Sequence, residues 1–288
     1  MSSCISLHIV LPKLMCLLMC LYLPVTKAAV WKITYPKQPI EDSIHVTYTI
    51  ELLKLALEKT GVRFEINPTD EVTLQGKAFN LLSNNRSINI VWSMTNEQRE
   101  ADFLPIRVPI FKGLIGWRVL LVEPNMLPKL ERSNLREHSV VQGMDWPDTK
   151  ILQANGFNVV NATNYDEAFM IMHRSQAGMF PRSVIEVIAE MADDNLRRDL
   201  MIEPNYVLQY PAAMYFFVNK RDKILARLLE QGFAKAMADG TFDALFNATY
   251  LPVLKELKVS QRTLVKLTNP LLPLETPLFE EHLWYQIQ

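Results

Sequence analysis

Two long apolar runs, 114–122 (LIGWRVLLV) and 205–219 (NYVLQYPAAMYFFVN), place the strongest constraint on how this chain folds. Each is too continuous to leave one face in water, so each must pass through protein interior. One alternation of strand-like and helix-like segments lies before the first run, and a second lies between the two. A chain that builds one α/β unit, leaves it along a buried strand, builds another and returns along a second buried strand has two lobes. Two crossing strands side by side bend about essentially one soft axis, which leaves a cleft that can shut.

The periodicities fill in this outline. Residues 30–35 (VWKITY) read as a strand, and Tyr48, Leu52, Leu55 and Ala56 recur at helical spacing before Gly61 stops them. The run 62–66 alternates as a strand, Leu74, Ala78, Leu81 and Leu82 mark a helix, and 88–94 (INIVWSM) is a buried strand. Three strands alternating with two helices predict a parallel sheet. In the second set, strands are expected at 139–142, 157–160 and 177–180, with a helix from Pro147 and another capped by Asn164. Ser183 and Glu186 form a Ser-x-x-Glu pattern that predicts a helix opening at Ser183 and running to about Met191. Beyond the second run, Leu225, Leu228, Leu229 and Ala236 describe a long helix ending at Gly240, with Thr241 capping the next.

The N-terminus reads as an export signal. Lys13, an apolar block of about 10 to 12 residues and a Thr26-Lys27-Ala28-Ala29 end predict cleavage near Ala28, because a membrane span needs about 20 residues. All three cysteines, Cys4, Cys16 and Cys20, fall inside this segment, so the mature chain carries no thiol for disulfide, catalysis or metal. The 30 basic and 31 acidic residues give no basic footprint for nucleic acid. Nine glycines without GxGxxG, GxxxxGK or GxSxG leave no standard nucleotide loop or nucleophile elbow, and the histidines form no metal-binding pair. No cofactor is expected. Asn85-Arg86-Ser87, Asn161-Ala162-Thr163 and Asn247-Ala248-Thr249 match the glycosylation pattern, which matters only in a eukaryotic secretory route.

Four stretches resemble the type II periplasmic solute-binding proteins, in particular the amino-acid-binding group, extracellular solute-binding family 3. They are Ile33-Thr34-Tyr35-Pro36; Met94 to Arg99 with Asp102, Phe103 and Pro109; Val141-Gln142-Gly143; and Met237-Ala238-Asp239-Gly240-Thr241-Phe242. The resemblance spans roughly 30–257. It implies an α/β, two-lobed type II fold with a double-strand hinge: lobe 1 from 29–120 and 214–258 and lobe 2 from 121–213, with 259–288 left as an extension beyond the resemblance. It also implies a monomer that delivers a small-molecule ligand to a membrane transporter, as an ABC transporter substrate-binding component, or to a sensor kinase in the periplasm.

Departures from the family pattern shape the expected ligand. Amino-acid-binding members place an Arg three residues after a Thr, to fork onto the ligand carboxylate; here Arg99 follows Thr95 by four. Arg99 either reaches the cleft, where its planar fork suits a carboxylate or phosphate, or is rotated outward as a surface residue. Where those members place an Asp for the ligand's ammonium, this chain has Arg182. Two candidate cations with no obvious anion predict an anionic or carboxylate-bearing solute, helped by the N–H groups of the helix expected at Ser183.

Ligands of open α/β sheets lie at the carboxyl ends of strands, which adds Tyr35, Trp92, Ser93 and Thr95 in the first lobe and Gly143, Asp145 and Trp146 in the second. Trp92 is either a stacking surface or sheet core, Trp146 a stacking surface or loop anchor, and Asp145 an amine partner or a turn former. Arg118, in the first crossing, either faces the cleft or lies along the sheet. The apolar 259–288 segment is expected to fold back on the first lobe, with a docking peptide as the alternative. A binding protein is the leading reading. An enzyme on the same scaffold, such as a dehydratase, or a ligand-free partner of a membrane sensor are the alternatives.

Overall fold

The structure, a computed structural model, describes residues 29–38, 40–84 and 87–287. The expected export signal and the Asn85 glycosylation pattern lie outside the described residues. Strand β1 (Val30–Lys37) pairs in parallel with β2 (Arg63–Val72), Ile33 opposite Ile66. Helix α1 (Ile44–Thr60) connects them and buries Val46, Leu52, Leu53, Ala56 and Leu57. It ends where Gly61, at φ 74°, turns its N–H back to the Glu58 carbonyl, a conformation a Cβ would strain. Next come α2 (Gln75–Asn84), the fully buried β3 (Val91–Met94), α3 (Glu97–Asp102) and β4 (Phe103–Ile106).

There follow β5 (Trp117–Val122), α4 (Leu127–Leu130), β6 (Val140–Gly143), α5 (Pro147–Ala154), β7 (Val159–Ala162), α6 (Tyr165–His173), β8 (Phe180–Ser183), α7 (Val187–Ala192), α8 (Asp194–Arg197), β9 (Met201–Ile202) and β10 (Tyr206–Gln209). Strands β6 and β7 are parallel, while β5 pairs antiparallel with β8, β9 and β10. The first crossing run becomes β5. The second splits at Pro211 into β10 and β11 (Met214–Asn219). The two crossings pair directly, Leu208 opposite Arg118 and Gln209 opposite Trp117.

Two expectations need correction. The first three strands do not form one parallel sheet: β3 pairs antiparallel with β11, Trp92 opposite Phe216, and β4 flanks the other edge of β11. The returning run lies between β3 and β4 and is almost wholly buried, so the backbone groups on both its edges find partners in neighbouring strands. Nor does a helix open at Ser183. Ser183 ends β8 in register with Arg118, its hydroxyl donates to the Leu114 carbonyl, and α7 starts four residues later at Val187. Strand pairing holds Ser183 in extended backbone, which keeps it out of the helix.

Helices α9 (Lys223–Ala238) and α10 (Thr241–Glu256) return the chain to α1. Strand β12 (Thr263–Lys266) then adds in parallel to β10, giving the crossing pair a third strand. Beyond it Thr268 and Asn155 exchange hydrogen bonds at 3.0 and 2.7 Å, Asn269 donates to the Pro211 carbonyl, and the Tyr285 amide donates to the Lys112 carbonyl. The extension thus touches α5, the crossing and the segment just before β5.

Candidate functional site

Strands β5 and β8 are buried at every position, so Arg118 on β5 and Arg182 on β8 lie inside the protein, 3% and 5% exposed. Guanidiniums cannot shed their charge, so such burial demands anionic partners. Arg118 pairs with Asp148, from the first turn of α5, at 2.5 Å and donates from Nε to the Tyr210 hydroxyl at 2.8 Å. Tyr210 in turn hydrogen-bonds Asp148. Arg182 donates from Nε to both oxygens of Glu190 at 3.0 and 2.9 Å and pairs with the same carboxylate through Nη2. Glu186 spans the two halves, 3.2 Å from Arg182 and 3.6 Å from Arg118. The Arg182 guanidinium also lies over the rings of Phe180, Trp146 and Tyr165 at 5.0, 5.2 and 5.6 Å.

Two guanidiniums therefore face three carboxylates, and the cluster carries one surplus negative charge. Burial alone would raise the Glu186 carboxyl, but Arg182 and then Arg118 outweigh it and hold it below the usual carboxylate range. Burial would likewise depress both arginines; Glu190 and Glu186 reverse this for Arg182, and Asp148 with Tyr210 and Glu186 for Arg118. The Tyr210 hydroxyl is pushed well up by burial, so it stays a neutral bridge.

His45, in the first turn of α1, lies close enough to this cluster to feel its charges. Its Nδ1 is buried without a hydrogen-bond partner, and burial lowers its pKa against the opposing pull of Glu186 and Glu190, with Arg182 adding to the lowering. A histidine whose folded pKa is lowered contributes stability that is present above its unfolded value of 6.5 and lost as pH falls below it. Melting temperature should fall between about pH 7 and pH 5 more steeply in the native protein than in His45→Gln, measured side by side. Parallel curves would contradict this.

The ten residues expected to bind a ligand separate into distinct groups. Arg118, Trp146 and Arg182 come together in the cluster. Gly143 supports it, since a Cβ there would lie 2.6 Å from the Trp146 ring. Tyr35 and Trp92 pack with ring centroids 5.4 Å apart in the core, and the Tyr35 hydroxyl donates to Glu41. Ser93, Thr95 and Arg99 lie apart from the arginine cluster: Arg99 donates to the Ser93 hydroxyl and the Gln75 side chain at 2.8 Å and to the Met94 carbonyl, and Thr95 donates to Glu100 at 2.6 Å. Burial lowers the Arg99 pKa to about 10. Its guanidinium borders a surface pocket of about 420 Å³ between α2 and α3. Asp145 is exposed in the turn before α5.

The inference that the two cations lack anions is overturned. Asp148, Glu186 and Glu190 supply them, and the expected helix N-terminus at Ser183 is absent. These carboxylates, with Tyr165, Tyr210 and His45, are the residues sequence reasoning missed. One signal was present: Arg182, Glu186 and Glu190 stand four residues apart, the spacing at which charges meet along a turn or helix. Among the described residues no group of three or more His, Cys, Asp or Glu is placed to hold a metal ion.

Neither a family model nor a curated protein sequence matches this chain. Solved structures do. The periplasmic VFT2 domain of BvgS from Bordetella pertussis superposes with a TM-score of 0.58 at 17% identity, covering 76% of this chain and 93% of that one. An ancestral arginine-binding protein bound to arginine gives 0.53 at 16% identity over 77% and 98%. A histidine kinase sensor domain with similarity to periplasmic binding proteins gives 0.52 at 14% identity over 78% and 97%. With strands that alternate with helices in two sets and a crossing pair between them, the chain has the two-lobed α/β fold of the type II periplasmic binding proteins.

Proposed function

We propose that the chain is a secreted periplasmic solute-binding protein that captures a small carboxylate-bearing solute between its lobes and presents the closed form to a membrane transporter or sensor. The lobes in this reading are 29–120 with 214–258 and 121–213, and 259–288 is an extension of the first. One observation carries it. The Glu186 carboxylate sits between two buried guanidiniums, more loosely held than Asp148 or Glu190, and keeps 26% of its side chain exposed. It occupies the position a solute's carboxylate would take. Exchange of Glu186 for such a group leaves the charge of the cluster unchanged, whereas adding an anion beside Glu186 would deepen the existing negative excess. Arg118 and Arg182 would hold the solute and Trp146 would cover it.

This exchange favours binding over catalysis. A general acid needs a raised pKa, and Glu186 is held low. Two of the neighbours named above are an arginine-binding protein and a histidine kinase sensor domain, which supports the same reading. Thermal-shift screening against mono- and dicarboxylates, amino acids and phosphates tests it. Glu186→Gln should bind the effective carboxylates about tenfold more tightly than the native chain, because the internal competitor has lost its charge. If no carboxylate stabilises either protein, the reading fails.

A second reading is supported by the near-complete burial of both guanidiniums: a module that stays closed without a solute, its closed shape recognised by a membrane sensor. Under it no solute shifts either protein, and small-angle scattering of the native chain is unaffected by any of them.

A further inference from the structure

Behind the crossing strands, the C-terminal extension closes one side of a pocket of about 410 Å³. Its walls include Trp117 and Tyr210 from the crossing, Trp284 and Tyr285 from the extension, and Lys112 and Lys266. Trp117 and Tyr285 meet edge to face, ring centroids 5.6 Å apart at 74°, and make an aromatic corner. Trp284 can lie where it does because residue 113 is glycine: a Cβ there would sit 2.6 Å from its ring. The volume falls in the range of about 300–1,000 Å³ typical of small-molecule sites, and aromatic walls with a few polar groups are their usual lining.

The two lysines differ. Lys112 is committed, paired with Asp243 at 2.5 Å and lying over Phe242 and Phe246. Lys266 is exposed on β12 and has no carboxylate partner among the described residues. We propose that this hinge pocket is a second binding site, distinct from the arginine cluster, for a flat aromatic ring carrying a carboxylate: the ring packs into the corner of Trp117, Tyr285 and Trp284, and Lys266 receives the anion. Tyr210 forms part of its wall and also bridges Arg118 and Asp148, so occupancy here bears on the strands that tie the lobes together.

The test is calorimetric titration of the full chain with 1-naphthoate. A saturable site is expected that is weakened about five- to tenfold by Lys266→Glu and lost in Leu264→Trp, which fills the pocket from β12. Lys266 is exposed, so its substitution leaves the fold intact even if Leu264→Trp does not. Naphthoate held at the arginine cluster would respond to Glu186→Gln and ignore Lys266→Glu, whereas naphthoate held here responds to Lys266→Glu, which separates the two sites. Absence of saturable heat up to about 5 mM, beyond the weak end of specific small-ligand binding, overturns the proposal. So does binding that ignores Lys266→Glu, or binding that responds only to Glu186→Gln.

Discussion

Arg182→Ala is expected to lower the melting temperature by roughly 10 °C, or to prevent folding. The substitution leaves Glu190, 8% exposed, facing aromatic rings with its counter-ion gone, and frees Glu186 from its nearer partner. Breaking a buried pair from one side costs about 3–5 kcal/mol, more than forming it contributes, because the remaining charge keeps its desolvation penalty. In a chain of this size each kcal/mol moves the transition by about 2–4 °C. The double substitution Arg182→Met with Glu190→Gln should recover most of the loss, since it removes both charges of the pair. Differential scanning calorimetry of the single and double variants decides this. A single variant within about 2 °C of native, or a double variant no better than the single, would show that the pair is not held as described. For the same reason Arg182→Ala is a poor probe of ligand binding, and Glu186, half-buried and loosely paired, is the better one.

The sequence made the architecture readable where local periodicity carries it. The two apolar runs, the strand at 88–94 and the helix ending at Gly61 are all patterns within about 20 residues, and each appears within a few positions of its expected place. Partner choice is not local. Strand β11 lies more than a hundred residues from β3, and nothing in either run of apolar side chains specifies that they pair antiparallel. The cluster shows the same division. Arg182, Glu186 and Glu190 could have been grouped by spacing alone, yet Ser183 and Glu186 also satisfy a capping pattern, and only the strand register of Ser183 decides between them. Asp148 and Tyr210 reach Arg118 from separations of 30 and 92 residues, so a search for polar partners close to either arginine in sequence finds neither. The composition of 259–288 announced that it must be covered. It did not say that the crossing strands would be the surface.

Gly116→Ala should be the most damaging single methyl added to the crossing. A Cβ at this position would lie 2.1 Å from the Tyr210 carbonyl oxygen and 2.9 Å from the Ala212 Cβ. Neither is the end of a flexible side chain, so relief requires the strands themselves to separate. Separation breaks the hydrogen bond from the Tyr210 amide to the Gly116 carbonyl at 3.1 Å and draws the Tyr210 hydroxyl away from Arg118 and Asp148. Overpacking typically costs about 1–3 kcal/mol; a clash with backbone next to a buried ion pair belongs at or above the upper end. Gly76→Ala is the contrast. It lies in α2 with nothing within 4 Å of the added carbon, and it should gain about 0.5–1 kcal/mol from the reduced freedom of the unfolded chain. Denaturant unfolding of both variants gives the two signs, and hydrogen exchange at the Tyr210 amide reports where the first one acts. Gly116→Ala with native stability and a protected Tyr210 amide would mean that the crossing strands tolerate displacement. The Tyr210 bridge would then be free to move without disturbing the hold of Arg118 on Asp148, and the hinge pocket and the cluster would be mechanically independent.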